Sequence, residues 1–225
     1  MQPEVYTQSR AVDRLESAKV LRNTYALLAM TVLFSAVTAG VSMAIEMTRG
    51  VGIMCSLGAL ALIWLVLPRT ANSSAGIGVV FAFTGLLGAS LGPILNFYVS
   101  SGSGQVIMQA LGTTALIFFA LSAYVLTTRK DFSFMGGFLF VGLIAVLVCA
   151  IGMMIASFFG VYMPLASVAL SGVIALLFSG FILYDTSRIV NGGETNYIMA
   201  TTSLYLNILN LFTSLLHIIG FASDD

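Results

Sequence analysis

The sequence predicts an all-α membrane protein with seven transmembrane helices, and three observations support this fold class. Hydrophobic residues make up 59% of the chain and charged residues only 8%, which leaves too few polar groups for the surface of a water-soluble domain. The apolar residues form seven long stretches, and a hydrocarbon core of about 30 Å needs roughly 20 such residues per helix. Almost every Lys and Arg falls between the stretches. The chain is therefore expected to cross a bilayer several times.

Each apolar stretch is assigned to one span. The predicted spans are Asn23–Ile45, Val51–Leu67, Gly76–Val99, Val106–Leu126, Gly136–Phe159, Pro164–Tyr184 and Ile198–Phe221. The second is the shortest, so a re-entrant segment is its alternative. Residues 1–20 are assigned to an N-terminal cytoplasmic tail and residues 21–225 to the transmembrane domain. The tail lacks the apolar core of a signal peptide, so the first span is expected to be retained as an anchor.

The distribution of basic residues predicts the orientation, because short loops rich in Lys and Arg resist translocation. Arg49 alone falls on one side. The other side carries Arg10, Arg14, Lys19, Arg22, Arg69, Arg129, Lys130 and Arg188. This asymmetry places the N-terminus in the cytoplasm and, for seven spans, the acidic end Asp224–Asp225 outside.

Composition and cysteine placement exclude several classes of function. The formal net charge is zero, which gives no basis for nucleic-acid binding. Cys55 and Cys149 fall inside predicted spans, where they are expected to act as small apolar residues without a disulfide. No Ser–His–Asp arrangement, zinc-binding helix or pair of intramembrane aspartates stands in the sequence. We therefore expect a protein that is not an enzyme.

Small residues repeat along several spans and predict where helices pack closely, because small side chains let backbones approach. The candidates are Ala36, Gly40 and Ala44 in the first span, Gly88 and Gly92 in the third, and Ser167, Ser171, Ala175 and Ser179 in the sixth. A water path lined by the serines is the alternative for the sixth span.

The seventh span carries a polar stripe. Ser203, Asn207, Asn210, Ser214 and His217 recur at steps of three or four residues, so they share one helix face. Asparagines facing lipid would leave amide groups without hydrogen bonds at a cost of several kcal/mol. The helix is therefore expected to be surrounded by protein or to line a wet cavity, and both structural hydrogen bonding and a polar conduit remain open. His217 has no second ligand at suitable spacing and is not expected to bind metal.

Asp185 directly follows the apolar residues Phe181–Tyr184 at the predicted end of the sixth span, whereas the other eight acidic residues fall in tails, loops or helix ends. If that helix continues to Arg188 or Val190, the carboxylate lies one to two turns inside the membrane and can meet Asn207. Carboxylates at such depth commonly serve ions or protons. The alternative is an interfacial aspartate paired with Arg188 or Arg69.

Several segments together resemble the Bax inhibitor-1 (transmembrane Bax inhibitor motif) family across all seven spans. They are Gly92–Ile94, Lys130–Phe134, Ile182–Asp185, Ser203–Asn207 and Asn210–Phe212. The segments Val20–Tyr25, Ser122–Asp131 and Gly192–Ile198 are similar to the bacterial branch described as modulators of the FtsH membrane protease.

The resemblance implies a central seventh helix enclosed by two groups of three helices. In some members, a calcium leak is gated by two aspartates near the cytoplasmic side, aided by an arginine at the end of the second span. Asp185 matches the first aspartate and Arg69 the arginine, but Asn207 stands at the second position. Two close carboxylates cannot both ionise cheaply, whereas Asp and Asn have no such repulsion. Gating by pH near neutrality is therefore expected to be weakened or absent.

Two functions follow as hypotheses. The first is an inner-membrane protein of bacteria that inhibits the FtsH protease in membrane-protein quality control, with the tail Met1–Lys19 as the segment that the protease grips. The second is a calcium or cation leak, with Asp185, Asn207 and Arg69 as the cation- or proton-sensing residues and Ser203, Asn210 and Ser214 along the polar pathway. The expected partners are the FtsH protease and the bilayer. No cofactor is expected beyond a transient Ca²⁺, and any metal site is unassigned.

Overall fold

The computed structural model describes residues 3–223, with side chains from residue 15 onward, and every regular element in this part of the chain is a helix. We label the helices α1 (Pro3–Ala44), α2 (Arg49–Thr70), α3 (Ala75–Ser100), α4 (Gly104–Thr128), α5 (Gly136–Phe158), α6 (Pro164–Val190) and α7 (Tyr197–Ser223). A short 3₁₀ turn, Ser133–Met135, precedes α5. All seven are long and apolar enough to cross a membrane. The predicted fold class is confirmed.

The first helix is longer than the first predicted span, because it begins at Pro3 and continues without a break into the membrane segment. Proline is favoured in the first turn of a helix, and neither Gly nor Pro interrupts the sequence again before Gly40. The backbone of the predicted tail is thus helical from Pro3. Asp224 and Asp225 lie outside the described residues.

The second helix contains a π-helical turn, Leu62–Val66, directly before Leu67 and Pro68. Proline has no N–H to donate and its ring clashes with the preceding turn, so the helix widens there instead of ending. With 22 residues, Arg49–Thr70 is about 33 Å long. This length favours a full crossing over the re-entrant alternative.

The chain forms two compact units. The first comprises Met1–Gly104 and Ile189–Tyr205, and therefore contains α1, α2, α3 and the start of α7. The second comprises Gln105–Arg188 and Leu206–Asp225, with α4, α5, α6 and the rest of α7.

Within the first unit, α1 packs on the glycines of α3, but not through the predicted face. Gly88 and Gly92 are buried as predicted, and a Cβ at either would collide with Ser35 or Ser42 of α1. The expected seam of Ala36, Gly40 and Ala44 is wrong, because none of the three residues is buried against another helix. The buried face of α1 instead carries Thr31, Ser35, Ala39 and Ser42.

A proline explains why serine occupies this face. Pro93 lies inside α3 and cannot donate to the carbonyl of Ala89, one turn earlier. The Ser42 hydroxyl donates to that carbonyl at 2.7 Å. A freed carbonyl in hydrocarbon needs such a partner, so α1 must present a hydroxyl here.

Within the second unit, α5 packs on α6 around Leu139, Val146 and Leu177. Glycines again mark the close approach, since a Cβ at Gly180 would lie 2.8 Å from Leu139 and one at Gly142 would lie 2.9 Å from Leu177.

Candidate functional site

The last helix has the largest share of buried residues among the seven spans. In its most apolar window 44% of residues are buried, against 11–33% in the other six. No residue from 197 to 221 belongs to the exposed class. The side chains of the polar stripe are therefore buried or half-buried, and the arrangement of two groups of three helices around α7 stays a prediction.

Asp185 and Asn207 are in direct contact within the second unit. The amide Nδ2 of Asn207 donates to Oδ2 of Asp185 at 2.8 Å. Because α6 continues to Val190, Asp185 lies five residues, or about 7.5 Å, inside the end of its helix. Asn207 is only 5% exposed, and Asp185 is half-buried. The structure thus brings together the two residues that the sequence indicated could meet.

The other polar side chains of the stripe have different partners. Asn210 turns back on its own helix and donates to the carbonyl of Leu206 at 2.8 Å. Ser214 is buried and Ser203 half-buried. The hydrogen bond of Asn210 favours a structural role for that residue. Asp185 and Asn207 differ from it, because they bring a carboxylate and an amide into contact.

His217 is held between two serines of α6. Its Nδ1 lies 2.8 Å from Oγ of Ser171, and its Nε2 lies 3.3 Å from Oγ of Ser167. Ser171 donates its hydroxyl hydrogen to the carbonyl of Ser167, so in the neutral ring Nδ1 is the donor and Nε2 the acceptor. The serine seam of α6 therefore has the close neighbour that the sequence predicted. Within the described residues, no three His, Cys, Asp or Glu side chains cluster as metal ligands.

Ser187, two residues after Asp185 on α6, makes two hydrogen bonds to the connection between α4 and α5. The backbone N–H of Phe132 donates to Oγ of Ser187 at 2.9 Å, and that hydroxyl donates to the carbonyl of Lys130 at 3.2 Å. Ser187 is fully buried. These two hydrogen bonds were not predicted from the sequence, although the Lys130–Phe134 segment stood out there.

Asp131 shapes the same connection from the aqueous side. Its Oδ1 accepts a hydrogen bond from the backbone N–H of Ser133 at 2.8 Å, at the start of the 3₁₀ turn. This backbone hydrogen bond, followed by side-chain hydrogen bonds from Ser133 and Ser187, holds the pKa of Asp131 below its ordinary value.

A buried phenol in the first unit was also missed. The hydroxyl of Tyr205 lies 2.7 Å from Oγ of Ser35 and donates to the carbonyl of Thr84 at 3.3 Å. Its ring meets Phe83 edge-on, with 5.9 Å between centroids. Tyr205 thereby links α7 to α1 and α3. Its only sequence signal was its place inside the Ser203–Asn207 segment.

Arg69 lies in the first unit, exposed at the end of α2. Its guanidinium donates to the carbonyl of Leu65, within the π-helical turn. This bond gives Arg69 a local structural partner, and its role opposite Asp185 stays a prediction.

The comparisons with known proteins are consistent along the whole chain. The family model described as "Inhibitor of apoptosis-promoting Bax1" matches residues 17–224. An uncharacterised membrane protein of Vibrio cholerae is 50% identical over 227 residues, covering 100% of both chains. A protein of Escherichia coli strain K12 named "Modulator of FtsH protease YccA" is 52% identical over 211 residues, which is 94% of this chain and 94% of that protein. A protein of a second Escherichia coli strain, named "Inner membrane protein YccA", matches to the same extent.

Proposed function

Because this chain belongs to the family of inhibitors of apoptosis-promoting Bax1, the Bax inhibitor-1 family, we propose that it is a bacterial inner-membrane protein that inhibits the FtsH protease in membrane-protein quality control. One observation carries the proposal: the 52% identity to the protein named as a modulator of that protease extends over 94% of both chains. The part of the chain outside the match is shorter than any one span, so every span is at least partly shared. The proposal therefore rests on similarity along nearly the whole chain and not on one short motif.

The N-terminal segment is proposed as the part that the protease engages. It is polar, mixed in charge and lies outside the apolar stretch of α1. An ATP-driven protease needs an accessible end to pull, and polar chain termini are where such access is commonly found. Seven apolar helices behind this end resist extraction from the bilayer, so the protease would be occupied for longer than by a simple substrate.

Deleting residues 2–15 tests whether this segment is the handle, that is, the part that the protease engages. We expect slower turnover of the protein in cells and a weaker effect on other substrates of the protease, measured by pulse-chase labelling. Deletion of residues 223–225 is the matched control and should change neither. Unchanged turnover of the N-terminal deletion would exclude this segment as the handle.

The contact between Asp185 and Asn207 supports a second function, a weak cation leak. Calcium prefers oxygen ligands, and one carboxylate with amide oxygens makes a weak site that releases its ion readily. The 2.8 Å bond from the Asn207 amide N–H occupies one carboxylate oxygen. An entering cation would displace that N–H, and rotation of the amide would present Oδ1 to the ion. The bonded pair therefore corresponds to a closed state.

Calcium flux into liposomes tests the leak. Asp185→Asn should abolish flux because it removes the charge that attracts the cation. Glu16→Gln is the control, since it removes one negative charge from an exposed side chain outside the predicted spans and should leave flux intact. Equal flux through Asp185→Asn and the wild type would reject the leak, and it would leave the protease proposal standing.

A further inference from the structure

A cavity lies in the first unit, at the end opposite to most of the basic residues of that unit. It has a volume of about 560 Å³ and is formed where α1 ends, α2 begins and α3 ends. Its wall combines Glu46 and Arg49 with Asn96 and the apolar side chains of Met43 and Phe97. None of these residues belongs to the proposed protease handle or to the proposed leak.

The wall of this cavity carries one acidic and one basic side chain, Glu46 and Arg49, and both are exposed. The guanidinium of Arg49 lies 6.0 Å from the centroid of the Phe97 ring, which keeps it over the cavity wall. The Asn96 amide donates to the carbonyl of Met43 at 3.0 Å and so satisfies the end of α1. A ligand with only negative charge would be repelled by Glu46, and a simple cation would be repelled by Arg49. The pair fits a zwitterion.

Glu46 occupies an unusual backbone position. Its φ is +50°, and the bonds Glu46 N–H to Met43 O and Met47 N–H to Ser42 O, both 3.0 Å, form a Schellman cap that usually places glycine here. A side chain with positive φ is strained, and such strain concentrates at functional positions. The chain thus has a glutamate beside the cavity, at a position where glycine would end the helix with less backbone strain.

The remainder of the cavity is suited to a lipid. From Pro93 to Ser100, its wall on α3 extends over about 10 Å along the helix, up to the end of that helix. The flanking residues Ile45, Val51 and Val99 are apolar and exposed, so the cavity adjoins the lipid-facing surface. An acyl chain can leave along this surface while the headgroup stays among the polar residues.

We propose that this cavity binds the headgroup of a zwitterionic phospholipid with a primary ammonium group. Arg49 donates to the phosphate, and Glu46 accepts hydrogen bonds from the ammonium. The apolar wall contacts the glycerol and the first methylenes. A trimethylated ammonium has no N–H to donate, so the site distinguishes phosphatidylethanolamine from phosphatidylcholine.

Native mass spectrometry of the full-length protein with defined lipids tests the site. The wild type should retain phosphatidylethanolamine about tenfold more than phosphatidylcholine, the ratio expected for a charge-assisted hydrogen bond. Glu46→Gln should abolish this preference, and Arg49→Gln should weaken binding of both lipids. Glu16→Gln, which removes an exposed charge on α1 away from the cavity, should bind like the wild type. Equal retention of the two lipids by the wild type would overturn the proposal.

A glycine variant and a soluble headgroup distinguish a bound lipid from a folding defect and from a soluble ligand. Glu46→Gly should raise the thermal midpoint by relieving the strained backbone and still lose the lipid preference, so a folding defect cannot imitate the result. Soluble glycerophosphoethanolamine, which has the headgroup without acyl chains, should not displace the bound lipid. Displacement at equal concentration would reject a lipid site in favour of a soluble zwitterion.

Discussion

At the scale of single residues, the hydrogen bond between Asp185 and Asn207 is the basis for the predicted response of the candidate site to pH. An amide beside a carboxylate can donate a hydrogen bond to it without competing for charge, as the 2.8 Å contact shows. A second carboxylate at this distance would be forced to share a proton with the first. Asparagine therefore separates this chain from a di-aspartate arrangement at a single position.

Asn207→Asp should restore the steep response to pH. We expect cation flux through the wild type to be nearly flat between about pH 6 and 8, because no second carboxylate competes with Asp185 for a proton, whereas the variant should change steeply in that range. The measurement is calcium flux in liposomes at stepped pH. Asn72→Asp, in the connection before α3, is the matched control and should remain flat. Equally steep gating of the wild type would contradict the assignment.

Asp131 provides a pH dependence of stability with a defined sign. Its pKa in the folded protein lies below the ordinary value of 3.8, chiefly because its carboxylate accepts the backbone N–H of Ser133. A carboxylate with a lowered pKa stabilises the fold above its unfolded pKa, and this contribution is lost as pH falls through the folded value. Asp131→Asn should therefore lower the thermal midpoint at neutral pH, and the difference should shrink as pH falls below 3.8. A difference that persists unchanged into acid would show that the charge is irrelevant.

At the scale of helices, hydropathy predicts the spans, but it does not predict which face of each helix is buried. The serines of α1 face α3 because Pro93 frees the carbonyl of Ala89 and Ser42 supplies the missing donor. Ala36, Gly40 and Ala44 have the same helical spacing and lie off the buried face. Spacing alone cannot distinguish these two stripes, since the choice depends on a carbonyl in another helix.

Two glycine substitutions, one on the buried packing face and one off it, should change the stability of the protein in opposite directions. Gly92→Ala should destabilise the protein by about 1–3 kcal/mol, because a Cβ there collides with the side chain and backbone of Ser42. Gly40→Ala should stabilise it by about 0.5–1 kcal/mol, because nothing lies within 4 Å of that position and alanine favours a helix. Thermal unfolding in detergent measures both. Equal effects of the two changes would contradict the observed face of α1.

At the scale of the whole molecule, the class of fold was predictable because it depends on the hydropathy of each stretch of the chain. The meeting of Asp185 with Asn207 was predictable because it joins two adjacent spans. The bond from Ser35 to Tyr205 joins residues 170 positions apart, and that from Phe132 to Ser187 joins residues 55 apart. Ser, Thr and Tyr occur throughout the spans, so one sequence does not indicate which of them pair. The continuity of α1 is not predictable from polarity, because polar residues with good helix propensity can extend a helix beyond its apolar stretch.

The orientation of the molecule is predicted from its charge asymmetry and the seven helices. A reporter fused to the C-terminus should be active only outside the cytoplasm, and the same reporter at the N-terminus only inside it, because an odd number of crossings places the ends on opposite sides. Cytoplasmic activity at both ends would mean an even number of crossings.

Inhibition of the FtsH protease is tested most directly with purified components in one bilayer. The protease, a membrane-protein substrate and this protein are reconstituted together, and the rate of substrate loss is followed with ATP present. Our account predicts that the rate falls as the amount of this protein increases, and that protein lacking residues 2–15 slows the protease less. A rate of substrate loss that is the same with and without the protein would contradict the account.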